Sequence, residues 1–383
     1  MQVLLIAENF KRGITAAERV VGKNLTLPIL SNVLLVAQRG RLQALATNLE
    51  IGVIFNLRAK IEKEGRIAVP ARILGSFLAS VPDEEKISIE AKDQSLNLAY
   101  GENRTTIKGM DAQDFPLIPR PQADYLLEIP AASFGEGIQK TIIATAASET
   151  RQELTGIHAE LAKDKLVLAA TDSFRLAEFS IGLKKENLGK GYDKFAEKNS
   201  GLIIPARTLL ELARSVADGA GQIRVYVGES QIFFEAGDVL YVSRLIDGKY
   251  PEYRQVVPKQ FISSAVFHKE DLLRAVKVAS IFSDTKSREV RLVFKAGEKK
   301  IKVSAQSVEA GENTSEVAAD LSLKESAEIA FNSRYLIDGL GSVTTEKVFL
   351  GFNDNFGPVV FREVSEEGKT ILDFLHIVMP IRS

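Results

Sequence analysis

The residue types that most often carry catalysis are scarce in this chain. It has no cysteine and three histidines, His158, His268 and His376, which lie far apart in the sequence. Without cysteine there is no thiolate nucleophile, thiolate metal ligand or disulfide, and this composition is typical of a reducing compartment. The acidic pair Asp83 and Glu84 consists of sequence neighbours in a polar turn, which is a poor arrangement for acid–base catalysis. We therefore predict a protein that is not an enzyme and that has no metal or cofactor.

Charge and length restrict the class of protein further. The 49 Lys and Arg residues nearly balance the 50 Asp and Glu residues, which gives a formal net charge of −1. A protein that coats nucleic acid electrostatically is strongly basic, so any contact with DNA or RNA must come from a local patch. With 383 residues, 45% of them hydrophobic, the chain is long enough for two or three domains with separate cores.

The amino terminus does not resemble a targeting segment. In MQVLLIAENFKRG the apolar run stops before Glu8, and the basic start and long apolar core of a signal peptide are missing. No run approaches the roughly 18 apolar residues of a membrane-spanning helix. We expect a cytoplasmic protein that does not contact a membrane.

A segment that runs from a strand end into a helix occurs three times, each time with an arginine at the same position. The copies are IAVPARILGSFLASV, LIIPARTLLELARSV and IAFNSRYLIDGLGSV, and they contain Arg72, Arg207 and Arg334. After each arginine, apolar residues follow at i, i+3, i+4 and i+7, the spacing of one helix face. Pro70 and Pro205 precede two of these helices, where a proline sacrifices no hydrogen bond.

The distance between copies indicates domains rather than a solenoid. Arg72 and Arg207 are 135 residues apart, and Arg207 and Arg334 are 127 apart. Each unit also has an earlier helix, alternating β-rich runs and a final run that ends in proline. We predict an α+β protein of three similar domains, residues 1–122, 123–258 and 259–383, with helices on antiparallel sheets. The polar segment 182–201 is predicted to be a long exposed loop.

Five motifs in these repeats resemble the β subunits of bacterial DNA polymerase III, the sliding clamps. They are TLPILSNVLL (26–35), VPAR (69–72), ATDSFRLA (170–177), DGKYPEYRQVVP (247–258) and VMPIRS (378–383). The resemblance covers nearly the whole chain. It implies the DNA-clamp fold in a homodimeric ring, with helices lining a hole around double-stranded DNA and sheets outside. It also implies a processivity factor that tethers the replicative polymerase.

The charge distribution is compatible with such a ring. The six candidate lining helices, 8–23, 70–81, 131–148, 205–217, 268–283 and 333–345, carry a formal charge of +5, and the rest of the chain carries −6. A weakly positive lining attracts phosphates without reading any base. The predicted DNA-facing residues are Lys11, Arg12, Arg19, Lys23, Arg72, Lys140, Arg207, Arg214, Arg274 and Lys277.

The resemblance also implies a hydrophobic groove that binds short motifs of the polymerase, the clamp loader and repair proteins. The positions that match it are Leu154, Thr171, Phe174, Arg175, Leu176, Pro251, Val256, Val378, Met379, Pro380 and Arg382. Aliphatic and Met side chains form an adaptable apolar pocket, and the two arginines are predicted to bond peptide carbonyls or a carboxylate. Ser173 and Phe174 stand where the family usually has Gly and His.

For the dimer, the resemblance places Ile281 and Phe282 against the first domain of the other subunit, with Ile73 and Phe77 as partners. Phe77 is also a core position in the helix register, and the sequence leaves both roles open. Two other functions remain open as well. One is an auxiliary or degenerate clamp-family protein that binds peptides without acting as the replicative ring, and the other is a β-rich hydrolase.

Overall fold

The computed structural model describes residues 1–22, 27–198, 201–216 and 221–382. Within these residues the helices are α1 Ala7–Val20, α2 Ala71–Ala79, α3 Ala131–Ile142, α4 Tyr192–Lys198, α5 Ala206–Val216, α6 Lys269–Ile281 and α7 Ser333–Ser342. Helix α7 begins at an asparagine cap, where the Asn332 side chain accepts a hydrogen bond from the Arg334 amide at 3.0 Å. The predicted periodicity holds, because Leu74 and Leu78 of α2 and Leu209 and Leu212 of α5 are buried.

The strands of the first third of the chain surround α1 and α2. They are β1 Gln2–Ile6, β2 Asn32–Gln38, β3 Arg41–Thr47, β4 Ile51–Leu57, β5 Ala59–Lys63, β6 Gly65–Pro70, β7 Lys86–Lys92, β8 Ser95–Tyr100 and β9 Asn103–Lys108. Strands β5, β1, β7, β8 and β9 form one antiparallel sheet in that order.

The central third repeats this alternation of strands and helices. Its strands are β10 Leu127–Pro130, β11 Gly156–Leu161, β12 Lys165–Thr171, β13 Arg175–Gly182, β14 Leu202–Pro205, β15 Gln222–Val227, β16 Gln231–Ala236 and β17 Val239–Arg244. Strand β17 pairs with β4, so that a second sheet runs β10, β15, β16, β17, β4, β3, β2, β6.

The last third completes a third sheet. Its strands are β18 Ser263–His268, β19 Glu289–Phe294, β20 Lys300–Ser307, β21 Gly311–Ser322, β22 Ala327–Asn332, β23 Lys347–Phe352, β24 Val359–Val364 and β25 Phe374–Val378. Strand β25 pairs with β13, and the sheet order is β14, β11, β12, β13, β25, β24, β23, β18, β21, β20, β19, β22.

These pairings divide the chain into two compact units. The first comprises Met1–Gly135, Lys184–Lys198 and Arg207–Leu245, and the second comprises Glu136–Leu183, Asn199–Ala206 and Ile246–Ser383. In the first unit α1 lies on β3 and β4 beside α2, and in the second unit α6 and α7 pack together with α6 on β20 and β21. Helices on antiparallel sheets confirm the predicted fold class.

The segment 182–201 differs from its prediction as an exposed loop. It contains helix α4, and the Tyr192 side chain at the start of that helix is buried. Just before the helix, Leu188 forms a β-bridge with Leu127, and the Gly189 amide donates to the Leu126 carbonyl at 2.9 Å. The polar sequence of the segment predicted a loop. The buried part of the segment lies at the edge of β10, which is distant in sequence and therefore not evident from the local pattern. No helix in the part of the chain described here is long and apolar enough to span a membrane.

Candidate peptide groove and DNA-facing helices

At one end of the second unit's sheet, β13 and β24 begin beside the end of β25. Two of the predicted groove segments are in contact there. Val378, at the end of β25, pairs with Arg175 of β13 on one side and with Val359 of β24 on the other. One residue further, the Met379 amide donates to the Phe174 carbonyl at 2.8 Å. Segments about two hundred residues apart in sequence therefore meet at one end of a sheet.

The predicted groove residues divide into buried ones and exposed or half-buried ones. Those that are buried are Leu154, Thr171, Arg175, Leu176, Val378 and Pro380. Those that are half-buried or exposed are Phe174, Pro251, Val256, Met379 and Arg382. Leu154 and Leu176 belong to one apolar cluster with Tyr250, Tyr253 and Ile377. A floor of aliphatic and aromatic carbon with apolar side chains at its rim is suited to an apolar peptide side chain.

Two tyrosines that the sequence analysis did not select pack with the predicted groove residues Leu154 and Leu176. The Tyr250 hydroxyl accepts a hydrogen bond from the Thr171 amide at 3.0 Å, and its ring stacks on His158 at 4.8 Å. The Tyr253 hydroxyl donates to Glu178 at 2.5 Å. Burial raises the pKa of both phenols, so both hydroxyls remain neutral. In the sequence, the only sign of this role was that the two tyrosines are three residues apart and flank Pro251.

A tight turn presents the Phe174 ring. Ser173 lies in the left-handed region with φ of 78°, where glycine is favoured. The Asp172 carboxylate accepts from the amides of Phe174 and Arg175, both at 3.0 Å. The Thr171 hydroxyl accepts from the Ser173 amide at 3.1 Å and donates to the Arg175 carbonyl at 2.6 Å. With its backbone fixed, Phe174 is left 61% exposed.

Arg175 departs from its predicted role as a cation for peptide carbonyls or carboxylates. It is only 7% exposed, and its guanidinium donates to Asp172 at 3.0 Å and to Asp338 at 2.6 Å. The same group lies 4.6 Å from the centre of the Tyr335 ring. Because the Arg175 guanidinium is buried and already paired with two carboxylates, it is not available to a peptide, and Arg382 is the exposed arginine of the predicted set.

Phe356 is an aromatic residue at the same end of the sheet that the sequence analysis missed. The Asp354 carboxylate accepts from the amides of Phe356 and Gly357 at 2.8 and 2.6 Å, which fixes a turn directly before β24. The ring is exposed, and β24 starts beside Val378. In sequence, NDNFGP has the composition of a polar turn, and only the strand pairing shows what lies next to it.

Part of the predicted DNA-facing set converges in the first unit. Lys11, Arg12, Arg19 and Arg214, from α1 and α5, line one cavity of about 300 Å³. Arg214 is paired with Glu211 at 2.9 Å, and Lys11 with Asp83 at 2.6 Å. In the described residues Arg12 and Arg19 have no ion-pair partner. The cavity therefore has two cations of α1, Arg12 and Arg19, available for an anion.

The remaining predicted cations fall into three groups. Arg72, Arg207, Arg274 and Lys277 are exposed on α2, α5 and α6. Lys23 lies outside the described residues. Lys140 contradicts its prediction, because it is 2% exposed and its ammonium donates to both carboxylate oxygens of Glu363 at 2.9 and 2.8 Å. Helix α3 buries this side chain, so Lys140 cannot contact a phosphate.

The predicted dimer residues divide by exposure. Ile73 on α2 and Ile281 at the end of α6 are 56% and 68% exposed, which is unusual for isoleucine. Phe77 and Phe282 are half-buried. Phe77 packs edge-on against Tyr100 with ring centres 6.0 Å apart, so part of its surface belongs to the core.

Two of the three histidines, His158 and His376, are buried and serve packing. His376 is fully buried on β25 against Gly339 of α7, and burial together with the charge of Arg175 lowers its pKa to about 3. His158 stacks on Tyr250. Across the residues that are described, no group of three or more His, Cys, Asp or Glu side chains is arranged to hold a metal ion.

Comparison with known proteins agrees with the fold. Residues 1–119, 128–252 and 254–382 match the N-terminal, central and C-terminal domain families of the DNA polymerase III β subunit. The β sliding clamp of Synechococcus elongatus is 30% identical, with 100% of this chain and 99% of the relative covered. That of Pseudomonas putida is 32% identical over 95% of each.

Solved structures give the same result. The crystal structure of the DNA polymerase sliding clamp of Pseudomonas aeruginosa superposes with a TM-score of 0.88 at 28% identity and covers 100% of both chains. These similarities extend over the whole chain and all three repeats, and they do not favour a hydrolase. The chain belongs to the family of the β subunit of bacterial DNA polymerase III, the non-catalytic DNA sliding clamp.

Proposed function

We propose that this chain is a replicative processivity factor that closes as a homodimeric ring around duplex DNA in the cytoplasm and tethers the polymerase through the groove. The ring would contain six domains, three from each copy, with boundaries at residues 1–122, 123–258 and 259–383. The observation that carries the proposal is a pattern of strand pairing between repeats. The pattern occurs twice within the described strands, and a third pairing of the same kind would need a second copy of the chain.

The last strand of one repeat pairs with the fourth strand of the repeat before it. Strand β17 ends the second repeat and pairs with β4 of the first, and β25 ends the third repeat and pairs with β13 of the second. Strand β9 is the last strand of the first repeat, so the pattern requires it to pair with the fourth strand of a repeat that comes before it. Strand β21 is the fourth strand of the third repeat, so the pattern requires its first half to pair with the last strand of a repeat that follows. Strand β9 is the last of its sheet, and Gly311–Val317 of β21 pairs only with β20 among the described strands. A second copy in head-to-tail arrangement satisfies both edges and closes a ring.

The lining would hold DNA weakly and without sequence preference. Arg12, Arg19, Arg72, Arg207 and Arg274 are exposed helix residues whose guanidinium groups can contact phosphate oxygens. Contacts of this type are screened by salt and carry no base specificity. The ring therefore retains DNA by closure and remains free to slide.

The groove would bind a short hydrophobic motif. Its buried floor is suited to apolar side chains, and the exposed Phe174 ring can cover a bound residue. Met379 adds an adaptable side chain at the rim. Polymerase, clamp loader and repair proteins would take turns at this one site.

Retention on DNA tests the proposal. The protein is loaded onto nicked circular plasmid by the clamp loader of the same organism with ATP, and gel filtration separates DNA-bound from free protein before and after linearisation. We expect protein to stay with the circle and to leave the cut plasmid within minutes. A known clamp with its own loader serves as the positive control. Failure to remain on the circle with an active loader would instead favour an auxiliary clamp-family protein.

A further inference from the structure

The groove floor crosses a seam between two parts of the chain. This seam is the β13–β25 pairing, from Arg175 opposite Val378 to Phe179 opposite Phe374. Strand β13 belongs to the predicted central domain and β25 to the predicted C-terminal domain. Arg175, Phe179 and their partners share one face of the sheet because side chains alternate along a strand.

At one end of the seam a buried ammonium joins the two parts. Lys140 of α3 donates to Glu363 of β24 at 2.8 and 2.9 Å and forms an ion pair with Glu136 at 2.7 Å. Its nitrogen lies 5.0 Å from the ring centres of both Phe179 and Phe374. Burial alone would raise the pKa of Glu363, but hydrogen bonds from Lys140 and Thr344 hold it below its usual value. The carboxylate is therefore charged, and this ion pair has few other ways to satisfy its hydrogen bonds.

At the groove end of the seam the arrangement is reversed. Arg175 of β13 donates to Asp338 of α7 at 2.6 Å and lies over the ring of Tyr335 on the same helix. Thus a helix of the central part reaches a strand of the C-terminal part at one end, and a strand of the central part reaches a helix of the C-terminal part at the other. His376, fully buried on β25 opposite Ala177, lies between the two ion pairs.

Buried ion pairs contribute little net stability, because desolvation offsets their attraction, but they tolerate few geometries. The Lys140 and Glu363 pair is buried at both ends, and the Arg175 and Asp338 pair is buried at the arginine and half-buried at the aspartate. Pointing in opposite directions across one seam, the two pairs restrict twisting between its sides. The groove takes Phe174 from one side and Met379 from the other, and the hydrogen bond between their backbones spans the seam. The relative position of these two residues therefore depends on the angle that the pairs maintain.

We infer that Lys140 and Glu363 are positioning residues of the groove, with Arg175 and Asp338 as their counterpart: they hold the two sides of the seam at the angle that binds a peptide. This inference rests on the proposed function of the groove. It predicts that the Lys140 and Glu363 pair can be replaced by apolar side chains with little loss of stability but with loss of a preorganised site.

The test compares the wild-type protein with Lys140→Met/Glu363→Leu. The probe is a fluorescein-labelled peptide selected on the wild-type protein by phage display, and Phe174→Ala verifies that it occupies the groove. We expect a Tm close to that of the wild type, an affinity about tenfold lower and faster hydrogen exchange at the Met379 amide. Lys140→Arg, which keeps the ion pair, should bind within about threefold of the wild type.

A control separates this role from general destabilisation. Ile14→Val, a mild core change in the first unit, should lower stability without changing peptide affinity or Met379 exchange. A folded double variant with unchanged affinity and unchanged Met379 exchange would overturn the inference. If the double variant does not fold, Glu363→Gln is subjected to the same two measurements with the same criteria. Failure of the wild-type protein to yield any peptide sensitive to Phe174→Ala would refute the groove itself, while Met379 exchange would still decide the inference.

Discussion

At the scale of single residues, His376 is a titratable group that folding forces to remain neutral. It is fully buried between β25 and α7, and its folded pKa is lowered to about 3 from an ordinary value of 6.5. Below pH 6.5 the unfolded chain takes up a proton on this imidazole and the folded chain does not. Stability from this group is therefore complete above pH 6.5 and is lost as the pH falls toward 3.

We predict that replacing His376 removes part of the acid sensitivity of the protein. At pH 5 protonation of the unfolded state should cost the wild type about 2 kcal/mol relative to pH 7, a penalty that His376→Gln cannot show. Urea unfolding of both proteins at pH 5 and 7 measures the difference, and other titrating groups cancel in the comparison. Equal pH dependence in the two proteins would mean that the imidazole is not held neutral.

Individual charged residues show what the sequence could not reveal. The arginine that opens each repeated helix was predicted from its register, and Arg72, Arg207 and Arg334 are exposed as that register requires. Lys140 also lies on a predicted lining helix, as these arginines do. Its burial, however, depends on Glu363, which is 223 residues away in sequence. Partners at such distances are fixed by strand order, and no local pattern encodes them.

At the scale of elements, helices α2 and α5 are equivalent parts of two repeats. Each begins after a proline, buries leucines on its inner face and exposes an arginine in its first turn. If both line the DNA, then Arg72→Glu/Arg207→Glu should weaken loading and shorten retention on circular DNA, more strongly at low salt, where contacts with phosphates are least screened. Peptide affinity should not change, because the groove lies in the second unit.

The matched control for this charge reversal is Lys184→Glu/Lys185→Glu, which changes the net charge equally. Lys184 is exposed and paired only distantly with Glu186 at 3.9 Å, and neither lysine lies on a predicted lining helix. Retention of the control protein should remain near the wild-type value. Equal losses in the two variants would show that total charge matters rather than helix position.

Helix α4 marks the limit of predicting elements from local sequence. The repeated helices were predicted because their apolar residues at i, i+3 and i+4 form one face. In any helix, this spacing predicts that the apolar face is buried. Helix α4 has one fully buried anchor, Tyr192, within a lysine-rich segment, so its periodicity is too short to recognise. The groove elements were predicted through their motifs, whereas Tyr250, Tyr253 and Phe356 required the three-dimensional structure.

At the scale of the whole molecule, three repeats in sequence fold as two units in space. Each strand pairing that joins two repeats lies within one unit, β17 with β4 in the first and β13 with β25 in the second. The central repeat is therefore shared, and among the described strands the first and third repeats each keep an unpaired edge, at β9 and at Gly311–Val317 of β21. Such edges invite pairing with another chain, and a long-lived monomer would have to protect them.

Closure of the ring is the property that should fail when this pairing is weakened. Ile281 is exposed at the end of α6 in the third repeat, and a carboxylate there would have to be desolvated in the dimer. We predict that Ile281→Asp shifts the protein from a dimer toward a 42.0 kDa monomer in analytical ultracentrifugation. Leu372→Asp, at an equally exposed apolar residue outside the predicted interface, should leave the dimer intact.

Because a monomer cannot enclose DNA, Ile281→Asp should also lose retention on circular plasmid although its exposed arginines and its groove are unchanged. A monomer that is retained as well as the wild type would show that DNA is held by affinity, and the ring mechanism would have to be abandoned.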